Sequence, residues 1–178
     1  MIGPLADRAA SESAVWAQAA LPPGARDEQP LFGPVAGARF ADGVESIYEG
    51  FLVHHARGRV FAAPDRQLGL LLGDYLYARG LVSVCQAGDV KAIAALADLV
   101  ALAAHLRAEH DGDGDDGRLW LATARHLAGP RNGALDQAKD ALRAGDRAPL
   151  RELVAPDEQA RRLLAHHERL MAQAAPAA

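Results

Sequence analysis

The sequence predicts an all-α protein of one domain, residues 1–178, and three observations support this. A length of 178 residues makes a single domain the default. Half of the residues are apolar, only 5% are aromatic, and Ala and Leu dominate, a composition that favours helix over sheet. β-Branched residues never alternate with polar ones over the length of a strand, so no strand is predicted.

Charge and cysteine content indicate which partners and which cellular compartment to expect. The formal net charge is -4 and no basic block is present, which argues against nucleic acid as the main partner. Cys85 is the only cysteine, so we expect it to pack as a small apolar residue in a reducing compartment. No signal-peptide pattern and no run of 18 uncharged apolar residues occurs. The sequence therefore predicts a cytoplasmic protein without a membrane span.

The N-terminal part is predicted as an arm, residues 1–41, that is partly loop. A short helix is predicted over 5–20, followed by Pro- and Gly-rich chain whose scattered apolar residues would hold it to the body. Asp42 and Glu45 then match a capping box, in which each side chain accepts a hydrogen bond at the start of a helix. We expect that helix to end at the Arg-Gly-Arg sequence that begins at Arg57.

The central stretch, residues 68–81, is apolar on nearly every side and predicts a helix buried in a bundle. Gly69 and Gly73 lie one turn apart, where they would let another helix approach closely. Asp74 is the exception in this run. A buried carboxylate is costly unless it is paired, so we expect Asp74 to be a structural residue bonded to a neighbouring helix or to an arginine.

The second half is predicted as a series of helices. Residues 90–109 have the clearest apolar stripe, and Gly88 and Asp89 are a typical helix stop followed by a helix start. Residues 111–117, rich in Asp and Gly, are predicted as an acidic loop. Further helices are predicted over 119–127, 135–144 and 149–154 and from 156 onwards.

Three groups of residues contain side chains that can bind metals. Glu45 and Glu49 are four residues apart, a spacing that suits a metal site, but a solvent-facing pair on an amphipathic helix is the favoured interpretation. The acidic run 111–117 lacks the Gly and Glu that a calcium loop requires at its sixth and twelfth positions, so a solvated linker is predicted. The seven histidines lack the spacing of a metal motif. No resident metal or other cofactor is expected.

The motif Gly73-Asp74-Tyr75, at the centre of an apolar helix, resembles a helix of the trans-polyprenyl diphosphate synthases. The spacing of apolar positions is similar over residues 42–109. The resemblance implies a compact helical bundle of the isoprenoid-synthase type, truncated relative to the catalytic family. Gly69, Gly73, Asp74 and Tyr75 would be its structural motif. In that family two aspartate-rich motifs hold magnesium against a substrate diphosphate.

This chain has no such aspartate pairs. Glu45 and Glu49 stand where the first motif belongs, and Arg57-Gly58-Arg59 is similar to the family's diphosphate-contacting Arg-Arg-Gly. The resemblance assigns these four charged residues to substrate binding, and a cryptic enzyme using Glu45, Glu49 and Arg57 is a third interpretation.

The favoured interpretation is a non-catalytic small subunit of the heptaprenyl diphosphate synthase type. It would be the heterodimeric partner or regulator of a catalytic subunit in isoprenoid and quinone side-chain biosynthesis, a pseudoenzyme whose partner alone supplies the aspartates for magnesium. Association as a homodimer is the other partner expectation. The alternative function is a stand-alone helical interaction protein with no prenyl chemistry.

Overall fold

The computed structural model describes residues 2–109 and 114–173 and confirms the all-α class. Ten α-helices and one 3₁₀ turn, Pro23–Ala25, form in this part of the chain. The helices are α1 (Gly3–Glu12), α2 (Ala14–Ala19), α3 (Gly33–Ala36), α4 (Ala41–His55), α5 (Arg66–Cys85), α6 (Val90–Glu109), α7 (Asp115–Ala128), α8 (Ala134–Arg143), α9 (Ala148–Leu153) and α10 (Glu158–Met171). An isolated β-bridge joins Ala20 to Phe61, with no strand among the described residues.

Helices α4 and α5 pack against each other through glycines. A Cβ built on Gly80 would lie 2.6 Å from the carbonyl oxygen of Gly43, and one built on Gly50 would lie 2.9 Å from that of Gly73. Two backbones can approach this closely only where no side chain separates them. The close approach expected at Gly73 is confirmed. At Gly69 the approach is looser, since a Cβ there would lie 3.8 Å from the carbonyl oxygen of Val53 on α4, an ordinary contact.

Aromatic rings fill the larger of two apolar clusters. The ring centroid of Tyr48 on α4 lies 4.9 Å from those of both Phe32 and Trp120, and the ring centroid of Phe51 lies 5.6 Å from that of Trp120. All four side chains are fully buried. These four aromatic side chains pack the start of α3, α4 and α7 against one another.

The N-terminal arm packs on α5 and is more helical than predicted. The helix predicted over 5–20 is divided at Ser13, an extended residue whose hydroxyl caps α2. Trp16 stacks on Tyr75 of α5 at 5.0 Å, and the Tyr75 hydroxyl donates a hydrogen bond of 2.7 Å to Glu12. These contacts, in addition to apolar packing, hold α1 and α2 in place.

Two predictions at helix starts are wrong. Helix α4 has no side-chain cap, and Glu45 directs its carboxylate to the backbone of the preceding loop instead of completing a capping box with Asp42. Helix α7 begins at Asp115, so the last part of the predicted acidic loop is helical, and Asp115 and Asp116 are buried. Residues 110–113, which include Asp111 and Asp113, lie outside the described residues.

Helix α5 is not buried on all sides, which corrects the central expectation. One side packs on α4, while Leu71 and Val82 on the other side are 61% and 55% exposed. The Asp74 side chain is 73% exposed and lies 3.5 Å from the imidazole of His54, so it needs no buried partner. Cys85 is exposed as well, contrary to the expected apolar packing.

Apart from the start of α7, the helix boundaries in the second half agree with prediction to within two residues. Asp89 accepts a hydrogen bond from Ala92 at the start of α6, and Gly88 adopts the left-handed conformation (φ 69°) of a helix stop. The last helix is capped by Asp157, whose carboxylate accepts from Ala160. Local capping chemistry was therefore a sound guide here.

Candidate functional site

The predicted substrate residues Glu45, Glu49 and Arg59 meet in a buried ion cluster. The guanidinium of Arg59 lies 2.8 Å from Glu45 Oε2 through Nη2 and 3.1 Å from Glu49 Oε2 through Nε. All three residues are at most 4% exposed. The prediction that Glu45 and Glu49 face solvent is therefore wrong, since both turn inward from α4.

Backbone amides use the remaining carboxylate oxygens of this cluster. Glu45 Oε1 accepts hydrogen bonds from the amides of Leu31 (2.7 Å) and Gly33 (2.6 Å). Glu49 Oε1 accepts one of 2.9 Å from the amide of Val60. Every carboxylate oxygen thus already has a protein partner.

The electrostatics of the cluster are those of mutual neutralisation. Burial acting alone would lower the pKa of Arg59, but the two carboxylates outweigh it and raise that pKa above its usual range. Burial raises the pKa of Glu49 against the opposing effect of Arg59. The guanidinium also lies 4.9 Å from the ring centroid of Tyr48, a cation–π contact.

Magnesium does not fit these residues. A hard cation needs carboxylate oxygens that can turn towards it, whereas those of Glu45 and Glu49 are bound by Arg59 and three amides. No group of three or more metal-ligating side chains occurs among the described residues. The cluster instead fastens the loop before α3 and the chain after α4 onto α4.

Arg57 lies apart from this cluster. It is exposed and borders a cavity of about 140 Å³ that is lined mainly by apolar residues, including Phe61. The structure therefore brings three of the four predicted substrate residues together and leaves the fourth outside. The remaining motif residue, Tyr75, contacts the N-terminal arm, where burial and the hydrogen bond to Glu12 raise its pKa to about 12.

A second buried polar network, which the sequence interpretation missed, links three helices through their side chains. Tyr48 Oη lies 2.8 Å from Nδ1 of His167 on α10, and Nε2 of His167 lies 3.3 Å from Oδ2 of Asp116 on α7. Burial alone would raise the pKa of Asp116, but the contacts with His167, then the charge of Arg107, hold it below its usual value. The three residues are far apart in sequence, so no local pattern could have revealed them.

A hydroxyl, an imidazole and a carboxylate in sequence could relay a proton, but access is missing here. Tyr48 is fully buried, and burial raises its pKa well above the usual value, so the phenol keeps its proton. A cavity of about 370 Å³ opens beside Asp116 and His167, yet Asp116 Oδ2 and His167 Nε2 are closed to solvent. This polar network therefore holds α10 against α4 and α7.

The outer side of α5 is the most distinctive surface. Leu71, Ala78, Val82 and Cys85 recur at helical spacing on it, and all four are exposed. Val90, at the start of α6, is 77% exposed and follows them in the chain. We call the four α5 residues the α5 stripe. Of the described helices, α5 is also the one with the length and apolar composition of a membrane span, and one third of that window is buried.

Comparison with known proteins finds no relative: no family model matches the sequence, and neither a curated protein nor a solved structure is similar to it.

Proposed function

We propose that this chain is a non-catalytic helical subunit that acts by binding another protein through the α5 stripe. The observation that carries the proposal is the exposure of Leu71 and Val82, at 61% and 55%, on a helix whose opposite side packs tightly on α4. Exposed apolar side chains that share one helix face are typical of interaction sites, and here they flank the exposed carboxylate of Asp74.

The ion cluster supports the non-catalytic part of the proposal. Glu45 and Glu49 are the residues that would replace the aspartates of a polyprenyl diphosphate synthase, and Arg59 neutralises both. A carboxylate that left this cluster to hold a metal would strand a buried guanidinium, at a cost of several kcal/mol. The function expected of the chain is therefore recognition.

The proposed partner is a catalytic polyprenyl diphosphate synthase, which would supply quinone side chains and the aspartates for magnesium. The resemblance of the Gly73-Asp74-Tyr75 helix to that family supports this choice, together with the isoprenoid-synthase type of packing that the resemblance implies. In this proposal α5 is an interface helix. A partner of another class, or a homodimer formed through the same stripe, would give the stand-alone interaction protein instead.

Co-purification with the catalytic synthase encoded by the same genome tests the proposal. The two chains are mixed, separated by size-exclusion chromatography, and assayed for prenyl transfer and product chain length. We expect a complex that Leu71→Glu and Val82→Glu abolish, since each places a charge in the interface. Val15→Glu and Leu153→Glu are matched controls, because these apolar residues are also exposed (45% and 37%) but lie on other helices.

The outcomes separate the alternatives. Co-elution lost only in the α5 variants, with a changed product length in the intact complex, supports the proposal. A chain that elutes alone and as a monomer refutes both the synthase partner and the homodimer. A self-associated chain that Leu71→Glu makes monomeric replaces the synthase partner with a second copy.

A further inference from the structure

A groove runs between α1 and the helix pair α4 and α5, and it borders the α5 stripe at Val82. It consists of two adjoining cavities of about 170 Å³ and 120 Å³. Both are lined by Leu5, Arg8, Asp42 and Ser46, so these four residues stand at the junction. We call this space the α1 groove.

The two cavities differ in chemical character. The larger one is mainly apolar, with Ile2, Pro4 and two further prolines in its wall. The smaller one is mainly polar and includes Ser83 and Gln86 of the chain around the end of α5. Volumes of this size are below the roughly 300–1,000 Å³ of pockets for drug-sized ligands, so only a small molecule with one apolar and one polar end fits.

Two opposite charges face the junction without contacting each other. Arg8 of α1 and Asp42 of α4 both line both cavities, and neither side chain makes an ion pair or hydrogen bond with another described residue. The other charges nearby are already engaged: Arg79 is 3.1 Å from Glu12, and Glu45 is neutralised by Arg59. The groove therefore offers one guanidinium and one carboxylate to a ligand.

From this arrangement we propose that the α1 groove binds a small zwitterion with an apolar substituent, of the α-amino acid class. The ligand carboxylate pairs with Arg8, whose planar guanidinium suits it, and the ligand ammonium pairs with Asp42. The apolar side chain enters the larger cavity against Ile2 and Leu5. Ser83 and Gln86 stand on the polar side with side chains that bond no other described residue.

The competing groups of the groove favour this class over a simple anion or cation. Ser46 already donates to the carbonyl of Leu76 at 2.9 Å, so its proton is not offered to a ligand. An anion bound at Arg8 would face the carboxylate of Asp42, and a cation bound at Asp42 would face the guanidinium of Arg8. Only a molecule that carries both charges satisfies the pair.

Isothermal titration calorimetry of the full chain with L-leucine tests the inference. We expect saturable binding at millimolar or lower leucine, weakened at least tenfold by Arg8→Ala and equally by Asp42→Ala. Both side chains are exposed, so the variants should keep the parent's circular dichroism spectrum. Arg66→Ala and Asp136→Ala, exposed charges elsewhere, are matched controls and should bind as the parent does.

Three leucine analogues make the assignment specific. 4-Methylpentanoate lacks the ammonium, 3-methylbutylamine lacks the carboxylate, and glycine lacks the apolar side chain; each should bind at least tenfold more weakly than leucine. Absence of leucine binding overturns the proposal. So does an analogue that binds as tightly as leucine, or leucine binding that both groove variants leave unchanged. Val82 borders the smaller cavity, but Arg8→Ala and Asp42→Ala leave every residue of α5 unchanged, so the two proposals fail separately.

Discussion

Replacing Arg59 with Met would leave two carboxylates in the core without their cation. Met keeps much of the length and apolar volume of the arginine stem, so the change removes the charge and its hydrogen bonds with little loss of packing. The guanidinium now serves Glu45 at 2.8 Å and Glu49 at 3.1 Å, and it donates a further bond of 3.0 Å to the carbonyl of Gln29.

The expected loss of stability follows from these contacts. Removing one partner of a buried ion pair costs about 3–5 kcal/mol, and Arg59 is the partner of two carboxylates that are at most 5% exposed. The backbone amides that remain on both carboxylates limit the loss. We therefore expect Arg59→Met to lower the free energy of unfolding by about 4–5 kcal/mol, a large part of the roughly 5–15 kcal/mol of a typical domain.

Urea unfolding at two pH values measures this loss and identifies its cause. Burial raises the pKa of Glu49 and Arg59 opposes that rise. Without Arg59, the stranded Glu49 holds a proton that the unfolded chain has released, so the native state gains stability as the pH falls. The deficit relative to the parent should thus be smaller at pH 5 than at pH 8. If Arg59→Met does not fold, the triple variant with Glu45→Gln and Glu49→Gln should restore folding, because no buried charge remains.

Arg57→Met is the matched control, two residues away and exposed, and should change stability by about 0.5 kcal/mol or less. The ion cluster would be refuted as a stabilising element if Arg59→Met unfolded at the same urea midpoint as this control.

Three further predictions concern α4 and α5. Gly80→Ala should destabilise by about 1–3 kcal/mol, since its Cβ would lie 2.6 Å from the Gly43 carbonyl oxygen, a clash that outweighs the higher helix propensity of Ala. Asp74→Ala should change stability by about 0.5 kcal/mol or less, because its carboxylate is 73% exposed. Burial, more than nearby positive charge, lowers the pKa of His55 from 6.5 to about 4. As the pH falls from about 6.5 towards 4, His55 is protonated in the unfolded chain before it is protonated in the folded protein, so the free energy of unfolding decreases over this range. His55→Gln should remove this pH dependence, which amounts to at most about 2 kcal/mol after solvent screening.

Urea midpoints at pH 7 check the first two predictions, and a series of midpoints between pH 7 and pH 4 checks the third. Gly24→Ala is the control for Gly80, since a Cβ there would meet nothing within 4 Å. An unchanged midpoint for Gly80→Ala would mean that α4 and α5 are farther apart than described. A large loss of stability for Asp74→Ala would mean that this carboxylate is buried, as the sequence predicted. If the midpoint of His55→Gln depended on pH as the parent's does, that dependence would belong to another group.

Helix positions were predictable because their signals are local. Residues 90–109 were predicted as a helix and α6 has those bounds, since Asp89 and the apolar stripe lie within one stretch of chain. Ser13 divides the predicted helix over 5–20 because its hydroxyl caps the start of a new helix. Apolar periodicity, on which the prediction was based, does not detect such a cap.

The candidate sites were not predictable for a matching physical reason. Whether a carboxylate is buried depends on a cation that can come from anywhere in the chain. Glu49 is buried because Arg59, ten residues later, folds back onto it, whereas Asp74 lies at the solvent-exposed edge of the contact between α4 and α5, 3.5 Å from His54. Helical periodicity indicates which residues share a face, but not which face meets a neighbour. The contact between Tyr48 and His167 has no local signal at all.

The carboxylates of α4 also have a consequence for native-state amide hydrogen exchange. The amide of Leu31 lies before α3 and that of Gly33 belongs to its first residue, so neither has a partner within the helix and secondary structure alone would class both as readily exchanging. Both donate to the buried Glu45 Oε1, so neither can meet solvent catalyst until the Arg59 cluster opens. Their exchange should therefore report the opening of the core around Arg59. We therefore expect these two amides to exchange as slowly as those in the middle of α4, although they lie outside its helical hydrogen bonding.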